Sequence, residues 1–277
     1  MKLGISSLGY IINYGKSNNY NSLLELILDS TRNCLNDAEE YNLDVCEIVL
    51  EPPVMMSKDN VPLFIELCNS YSIEKQIHSP FVDISLCSFN EDITQASISS
   101  YKKSAKITEK IGATLLTIHP GFGNFLIEPI RKYNQESLRK NVLLLLDSIK
   151  DMNISICIEN MPKMVNIFLN TDEIIDFFHF FNKKKIYLTY DTSHFWTCEG
   201  DLSYLWEKLS TRIKNIHLVD NFDREKDPHP QLGCGKINFD HIFQYLKEYQ
   251  YKDSLIIELS NSKDIPKSIN FIRKYIY

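Results

Sequence analysis

Eight short runs of aliphatic and β-branched residues recur along the chain. Each is followed by a longer segment whose apolar positions return every three or four residues. The runs are KLGISS (2–7), DVCEIVL (44–50), EKQIHS (74–79), ATLLTIH (113–119), ISICIE (154–159), KIYLTYD (185–191), IKNIHLV (213–219) and SLIIEL (254–259). Several are apolar without interruption, as strands covered on both faces are. The segments between them, including NSLLELILDSTRNCLNDAEEY, SISSYKKSAKITEKIG, ESLRKNVLLLLDSIKDM and the closing IPKSINFIRKYIY, carry the helical period. Eight strands alternating with eight helices predict an α/β fold: a single (β/α)8 TIM barrel over residues 1–277, with its active site at the C-terminal ends of the strands. No glycine-rich phosphate loop follows the first strand, which argues against an open doubly wound sheet. The stretch SSLGYIINYGKSNNY after that strand reads as a loop.

That architecture gives the polar residues at the strand ends a common address. The third run ends in His78, the fourth in His119, the fifth in Glu159 and the sixth in Asp191, with His194 just beyond. His217 lies near the end of the seventh, Asp227 and His229 follow in DPHPQLGCG, and Glu258 closes the eighth. Taken singly, a strand-end histidine is a hydrogen-bonded core residue and Asp191 is a helix cap. So many features of one kind on one rim predict a metal site. His179 and His241, the two remaining histidines, fall inside helix segments and read as packing or surface residues. Imidazole and carboxylate donors without thiolate suit Zn²⁺, Mn²⁺, Fe²⁺ or Co²⁺. Nine donors exceed the needs of one ion. Either two or three ions share them through bridging carboxylates such as Glu159 and Glu258, or some donors orient the ligands of a single ion.

Bulk properties narrow the partners. A net charge of −6 and a pI near 5.7 supply no global basic field for nucleic acid or an anionic membrane. The N-terminus has no apolar signal region and no window approaches a membrane span, so a cytoplasmic location is expected. The seven cysteines are odd in number and contain no C-x-x-C pair, and they read as reduced core residues.

The motifs TIHPG, CIEN, YDTSHFW, NIHLVDN, DPHPQLGCGKINFDHI and IIEL, in that order and on those strands, resemble the xylose isomerase-like barrels. That superfamily includes endonuclease IV and the sugar-phosphate isomerases and epimerases, and the resemblance covers nearly the whole chain. Similarity to the endonuclease IV type implies three zinc ions held by His78, His119, Glu159, Asp191, His194, His217, Asp227, His229 and Glu258. Similarity to the isomerases and epimerases implies one divalent ion on Glu159, Asp191, His217 and Glu258. The opening segment lacks the glycine-rich start associated with endonuclease IV. Glu47 and Glu51 in DVCEIVLEPP look more like the isomerase branch.

The working expectation is a divalent-metal-dependent sugar or sugar-phosphate isomerase/epimerase using one to three ions, Zn²⁺ or Mn²⁺. Glu159 and Glu258 would be the catalytic pair, moving a proton across a metal-polarised carbonyl and hydroxyl. The alternative is an endonuclease IV-like trinuclear zinc phosphodiesterase acting at abasic sites, the only reading that brings in nucleic acid. Rim loops favour the small substrate: SPFVDISLCSFNED and TSHFWTCEGD contain no lysine or arginine. Phe81, Phe122, Trp196 and Lys163 are the expected substrate contacts, with Lys16, Lys58 and Lys263 as further single phosphate contacts. The amphipathic outer ring leaves oligomerisation open.

Overall fold

A computed structural model describes residues 1–276. Eight parallel strands close into a barrel in chain order: β1 (Lys2–Ser6), β2 (Val45–Val49), β3 (Glu74–His78), β4 (Leu115–Ile118), β5 (Ser155–Glu159), β6 (Ile186–Asp191), β7 (Ile213–Leu218) and β8 (Ser254–Ile257). β8 pairs with β1 to complete the ring. The expected (β/α)8 TIM barrel is the architecture found. Strands such as β2 are buried at every position, because one face meets the barrel interior and the other meets helices.

Ten α-helices accompany the strands among the described residues: α1 (Leu8–Ser17), α2 (Leu23–Glu40), α3 (Val61–Asn69), α4 (Glu91–Lys110), α5 (Arg131–Ser148), α6 (Thr171–Phe180), α7 (Thr192–Thr197), α8 (Leu202–Leu209), α9 (Phe239–Glu248) and α10 (Ile265–Ile276). Starts are set by local polar chemistry. Ser22, Asn90, Asn170, Asp201 and Asn238 each accept a backbone N–H of the first turn. Two helices were not anticipated. The segment read as a first loop forms α1, because Leu8, Ile11 and Ile12 share one face of a turn while Tyr10 is buried on another. It stops at Asn18, which takes the left-handed conformation at φ 53°. The short α7 exists because Asp191 caps it. No helix among the described residues is long and apolar enough to cross a membrane.

Register brings the polar strand ends level. Between β6 and β7 the pairing shifts at Leu188/Thr189, so that Asp191 lies opposite His217. Without that shift Asp191 would face Ile216, a buried aliphatic on the opposite side of β7 from His217. β4 and β8 end at Ile118 and Ile257, which places His119 and Glu258 one residue past their ladders. Below the rim the interior is polar. Gln76 of β3 donates to Glu47 of β2 (2.7 Å) and to Asn215 of β7 (3.0 Å), and Thr117 of β4 meets Thr189 of β6 at 3.0 Å.

Candidate metal centre

The nine rim donors fall into three groups, of which the first two share Glu159. In the first, His78 Nε2 and His119 Nε2 lie 3.2 and 3.0 Å from Glu159 Oε2. In the second, His217 Nδ1 stands 3.3 Å from Glu159 Oε1, 2.9 Å from Glu258 Oε2 and 3.9 Å from Asp191 Oδ2. In the third, His194 Nε2 and His229 Nε2 both lie 2.9 Å from Asp227 Oδ2. Donor atoms in each of His78–His119–Glu159, Glu159–Asp191–His217 and His194–Asp227–His229 are within 4.8 Å of one another. Glu159 thus turns one oxygen to the first group and the other to the second.

Three of the five imidazoles, those of His78, His194 and His217, have a neighbour on the nitrogen that faces away from the cluster, whereas the buried His229 Nδ1 has no hydrogen-bond partner. His78 Nδ1 is 2.9 Å from the Ser79 carbonyl and His194 Nδ1 is 2.8 Å from the Asn160 carbonyl, which leaves Nε2 of both rings for the cluster. His217 is turned the other way. Its Nε2 lies 3.0 Å from Glu47 Oε1 and 3.1 Å from Asn215 Nδ2, Glu47 Oε2 accepts from Gln76 and Asn215, and Nδ1 faces the centre. Glu47 and His217 are fully buried. Replacing Glu47 by Gln should lower zinc affinity at the second group roughly 10–100-fold, the usual size for a lost outer-shell carboxylate. Chelator competition measures it, and an unchanged affinity would remove Glu47 from this role.

Asp191 joins cap and donor in one side chain. Oδ1 accepts from His194 N at 2.7 Å and starts α7, whereas the buried Oδ2 has no hydrogen-bond partner. A buried carboxylate oxygen without a donor is costly, and a divalent cation among these donors would remove that cost. The donor set and this orphaned atom therefore fit a metal.

Electrostatics point the same way. Burial opposes charge on His229, but attraction to Asp227 and a hydrogen bond donated to its carboxylate outweigh it and raise the pKa to about 9. Burial likewise opposes charge on His217 and His194; Glu47 and Glu159 raise the first, Asp191 and Asp227 the second. Burial pushes Asp191 up to about 7. Burial alone would raise Glu258, yet His217 holds it at about 2. Without metal, protons hold the carboxylates together. A group whose pKa is raised on folding stabilises the fold below its unfolded value and loses that contribution as pH rises through its folded value. The metal-free protein should therefore lose thermal stability from about pH 6.5 through 9, as His229 deprotonates. Zinc-loaded protein should hold its midpoint across that window, since a cation replaces the protons. Parallel melting curves with chelator and with zinc test this, and identical pH profiles would refute it.

The loop carrying Asp227 and His229 is built on Asp220. Its carboxylate accepts from the amides of Gly233 (2.9 Å), Gly235 (2.7 Å) and Ile237 (3.3 Å). A Cβ on Gly235 would lie 2.1 Å from Asp220 Oδ1, so only glycine allows this approach. The GCG pair is the structural core of that loop, in keeping with its reading as a tight turn.

Seven of the nine donors, all but Asp191 and His217, line a cleft of about 390 Å³, walled by Leu8, Ile11, Ile12, Pro52 and Phe81. Phe81 packs against the rings of His78 (5.3 Å) and His119 (5.1 Å). The other expected substrate contacts lie elsewhere. Phe122 is 55% exposed and does not line the cleft. Trp196 faces a separate cavity behind α7, with Arg224 stacked 4.1 Å over its ring. Lys163 is an exposed partner of Glu225 at 2.8 Å. Lys58 and Lys263 border other grooves, and Lys16 is exposed and outside the cleft lining. Sequence reading did not single out Glu47 as an orienting group, although a lone carboxylate inside the apolar run DVCEIVL is a usable signal. It also missed the α1 wall, whose i, i+3, i+4 aliphatics were legible.

Residues 35–275 match the family model of the xylose isomerase-like TIM barrel. An uncharacterized protein of Methanocaldococcus jannaschii is 26% identical over 262 residues, covering 92% of this chain and 88% of its own. A probable endonuclease 4 of Thermoplasma volcanium is 25% identical over 199 residues, 66% of each chain. Among solved structures, a D-tagatose 3-epimerase-like protein superposes with a TM-score of 0.81 at 24% identity, covering 100% of this chain and 97% of that one. D-allulose 3-epimerase from Methylomonas sp., in complex with D-allulose, gives 0.79 at 18% identity over 99% and 97%. The IOLI protein with a zinc atom gives 0.75 at 17% over 100% and 96%. At such identities these structures speak for the fold alone.

Proposed function

The chain belongs to the xylose isomerase-like TIM-barrel family, and from that premise we propose that it is a polynuclear metal-dependent phosphoesterase, with up to three divalent ions at the barrel rim. The observation that carries this reading is the division of Glu159 between two donor groups, with the third group, His194–Asp227–His229, beside them. An isomerase mechanism draws on Glu159, Asp191, His217 and Glu258. His78, His119, His194, Asp227 and His229 would then be five buried or half-buried polar groups without a direct role. On this proposal the phosphoesterase, the alternative among the two expectations drawn from sequence, is placed ahead of the isomerase/epimerase because it gives these five a role.

Charge balance supports the same order. Glu159, Asp191, Asp227 and Glu258 carry four negative charges. Three divalent ions would leave the floor net positive and ready for an anion, whereas one ion with neutral imidazoles would leave it net negative. Divalent ions there would neutralise charge on phosphoryl oxygens and activate water. The chain's own part is to hold those donors rigidly: Ser79 and Asn160 carbonyls fix two imidazoles, Glu47 fixes a third, and Asp220 fixes the loop of Asp227 and His229. The relationship to a probable endonuclease 4 is consistent with this chemistry.

A second reading is favoured by Glu159 and Glu258, whose oxygens flank His217 Nδ1 at 3.3 and 2.9 Å. With one ion, Zn²⁺ or Mn²⁺, they would relay a proton on a sugar or sugar phosphate, as the D-allulose and D-tagatose epimerase-like neighbours invite. Elemental mass spectrometry decides first, on protein purified without chelator. About three ions per chain and hydrolysis of bis(p-nitrophenyl) phosphate support the phosphoesterase. One ion and turnover of a ketose panel, with no phosphoester cleaved, would replace it with the epimerase.

A further inference from the structure

The cleft combines two surfaces that seldom meet in a site for nucleic acid. Its floor is the donor set. One wall is aliphatic and aromatic, made by Leu8, Ile11 and Ile12 of α1 with Pro52 and Phe81. No lysine or arginine lines it. The one carboxylate on that wall, Glu51, is already engaged: its Oε2 accepts from the backbone N–H of Phe81 (3.1 Å) and Val82 (3.3 Å), which fixes the aromatic ring over His78 and His119. Val82, the next residue in the chain, is 59% exposed.

A duplex binder needs cations along the path of the flanking phosphates, because charge neutralisation supplies most of its affinity. This cleft offers cationic character only at its floor, and only when loaded. The wall offers the opposite, apolar surface that gains by excluding water. We infer that the substrate is a small phosphoester carrying a bulky apolar aryl or alkyl group. Its phosphoryl end is directed to the donor floor and its apolar group seats against Leu8, Ile11, Ile12 and Phe81. The inference rests on the phosphoesterase reading and names the substrate class for that same site.

The test is calorimetric titration of zinc-loaded protein with phenylphosphonate and with methylphosphonate, which present the same anion on different bodies. Phenylphosphonate should bind at least tenfold more tightly to the unaltered chain. In Ile11→Asn and Ile12→Asn, each checked for folding by circular dichroism, the gap should close through loss of phenylphosphonate affinity alone. Equal affinities in the unaltered chain, failure of both phosphonates to bind, or tighter binding of an abasic duplex would overturn the inference. Hydrolysis of bis(p-nitrophenyl) phosphate, followed in the same preparation, separates the two levels. Hydrolysis without an aryl preference removes the apolar class and leaves the phosphoesterase standing. An aryl preference without hydrolysis removes the phosphoesterase and leaves an apolar-anion site.

Discussion

Glu159→Gln should leave the barrel folded, reduce the metal content from about three ions to about two, and lower phosphoester turnover by roughly a thousandfold or more. One ion is lost because Glu159 is the only carboxylate of the His78–His119 group, whereas the second group keeps Asp191 and Glu258. The amide is close to the carboxylate in size, and Glu159 is 1% exposed at the end of β5, so packing gives little reason for collapse. What changes is charge. Oε2 now faces two imidazoles and Oε1 faces His217 and His194. A neutral amide can serve one of those groups through its oxygen, and turns N–H donors toward the other. The group of His194, Asp227 and His229 has its own carboxylate and should keep its ion. Elemental mass spectrometry and circular dichroism on the same sample test both halves. A variant that retains the full metal content would show that Glu159 bridges nothing.

Asp227→Asn should separate the two enzymatic readings. Asp227 Oδ2 lies 2.9 Å from both His194 and His229, and burial would raise its pKa were it not held well below the usual carboxylate range by those two imidazoles. Losing its charge removes the only carboxylate of the third group. One ion should be lost and phosphoester turnover should fall by about a hundredfold or more, the order expected when one centre of charge stabilisation is deleted. The residue takes no part in the proton relay of Glu159 and Glu258. An epimerase would therefore keep its ketose turnover in this variant, and that outcome would retire the three-ion reading.

Most of the donor set is legible in the sequence alone, and the reason is topological. In a barrel of parallel strands every C-terminal end arrives at one rim, so residue type and position along the strand suffice to collect His78, His119, Glu159, Asp191 and Glu258. The histidine of NIHLV and the D-x-H of DPHPQ join them because β7 and its loop rise to the same rim. The contacts expected of Phe122, Trp196 and Lys163 were less tractable. Being near the rim does not say which way a side chain points. Trp196 lies two residues after His194 on α7, and at about 100° per residue it turns away from the cluster to stack under Arg224.

The sequence by itself determined the order and spacing of the strands, the closed barrel and the chemical types of nine donors, because periodicity and strand-end position are local properties of the chain. Tertiary structure alone decided how those donors group. The one-residue shift between β6 and β7 sets Asp191 opposite His217. Glu47, from a strand across the barrel, stands 3.0 Å from the nitrogen of His217 that faces away from the centre. Closure of the ring brings β5 between two sets of imidazoles and so gives Glu159 both of its neighbours. These are relations among residues as far as 170 positions apart (His217 and Glu47), set by packing across the barrel interior, and no pattern within a single strand encodes them.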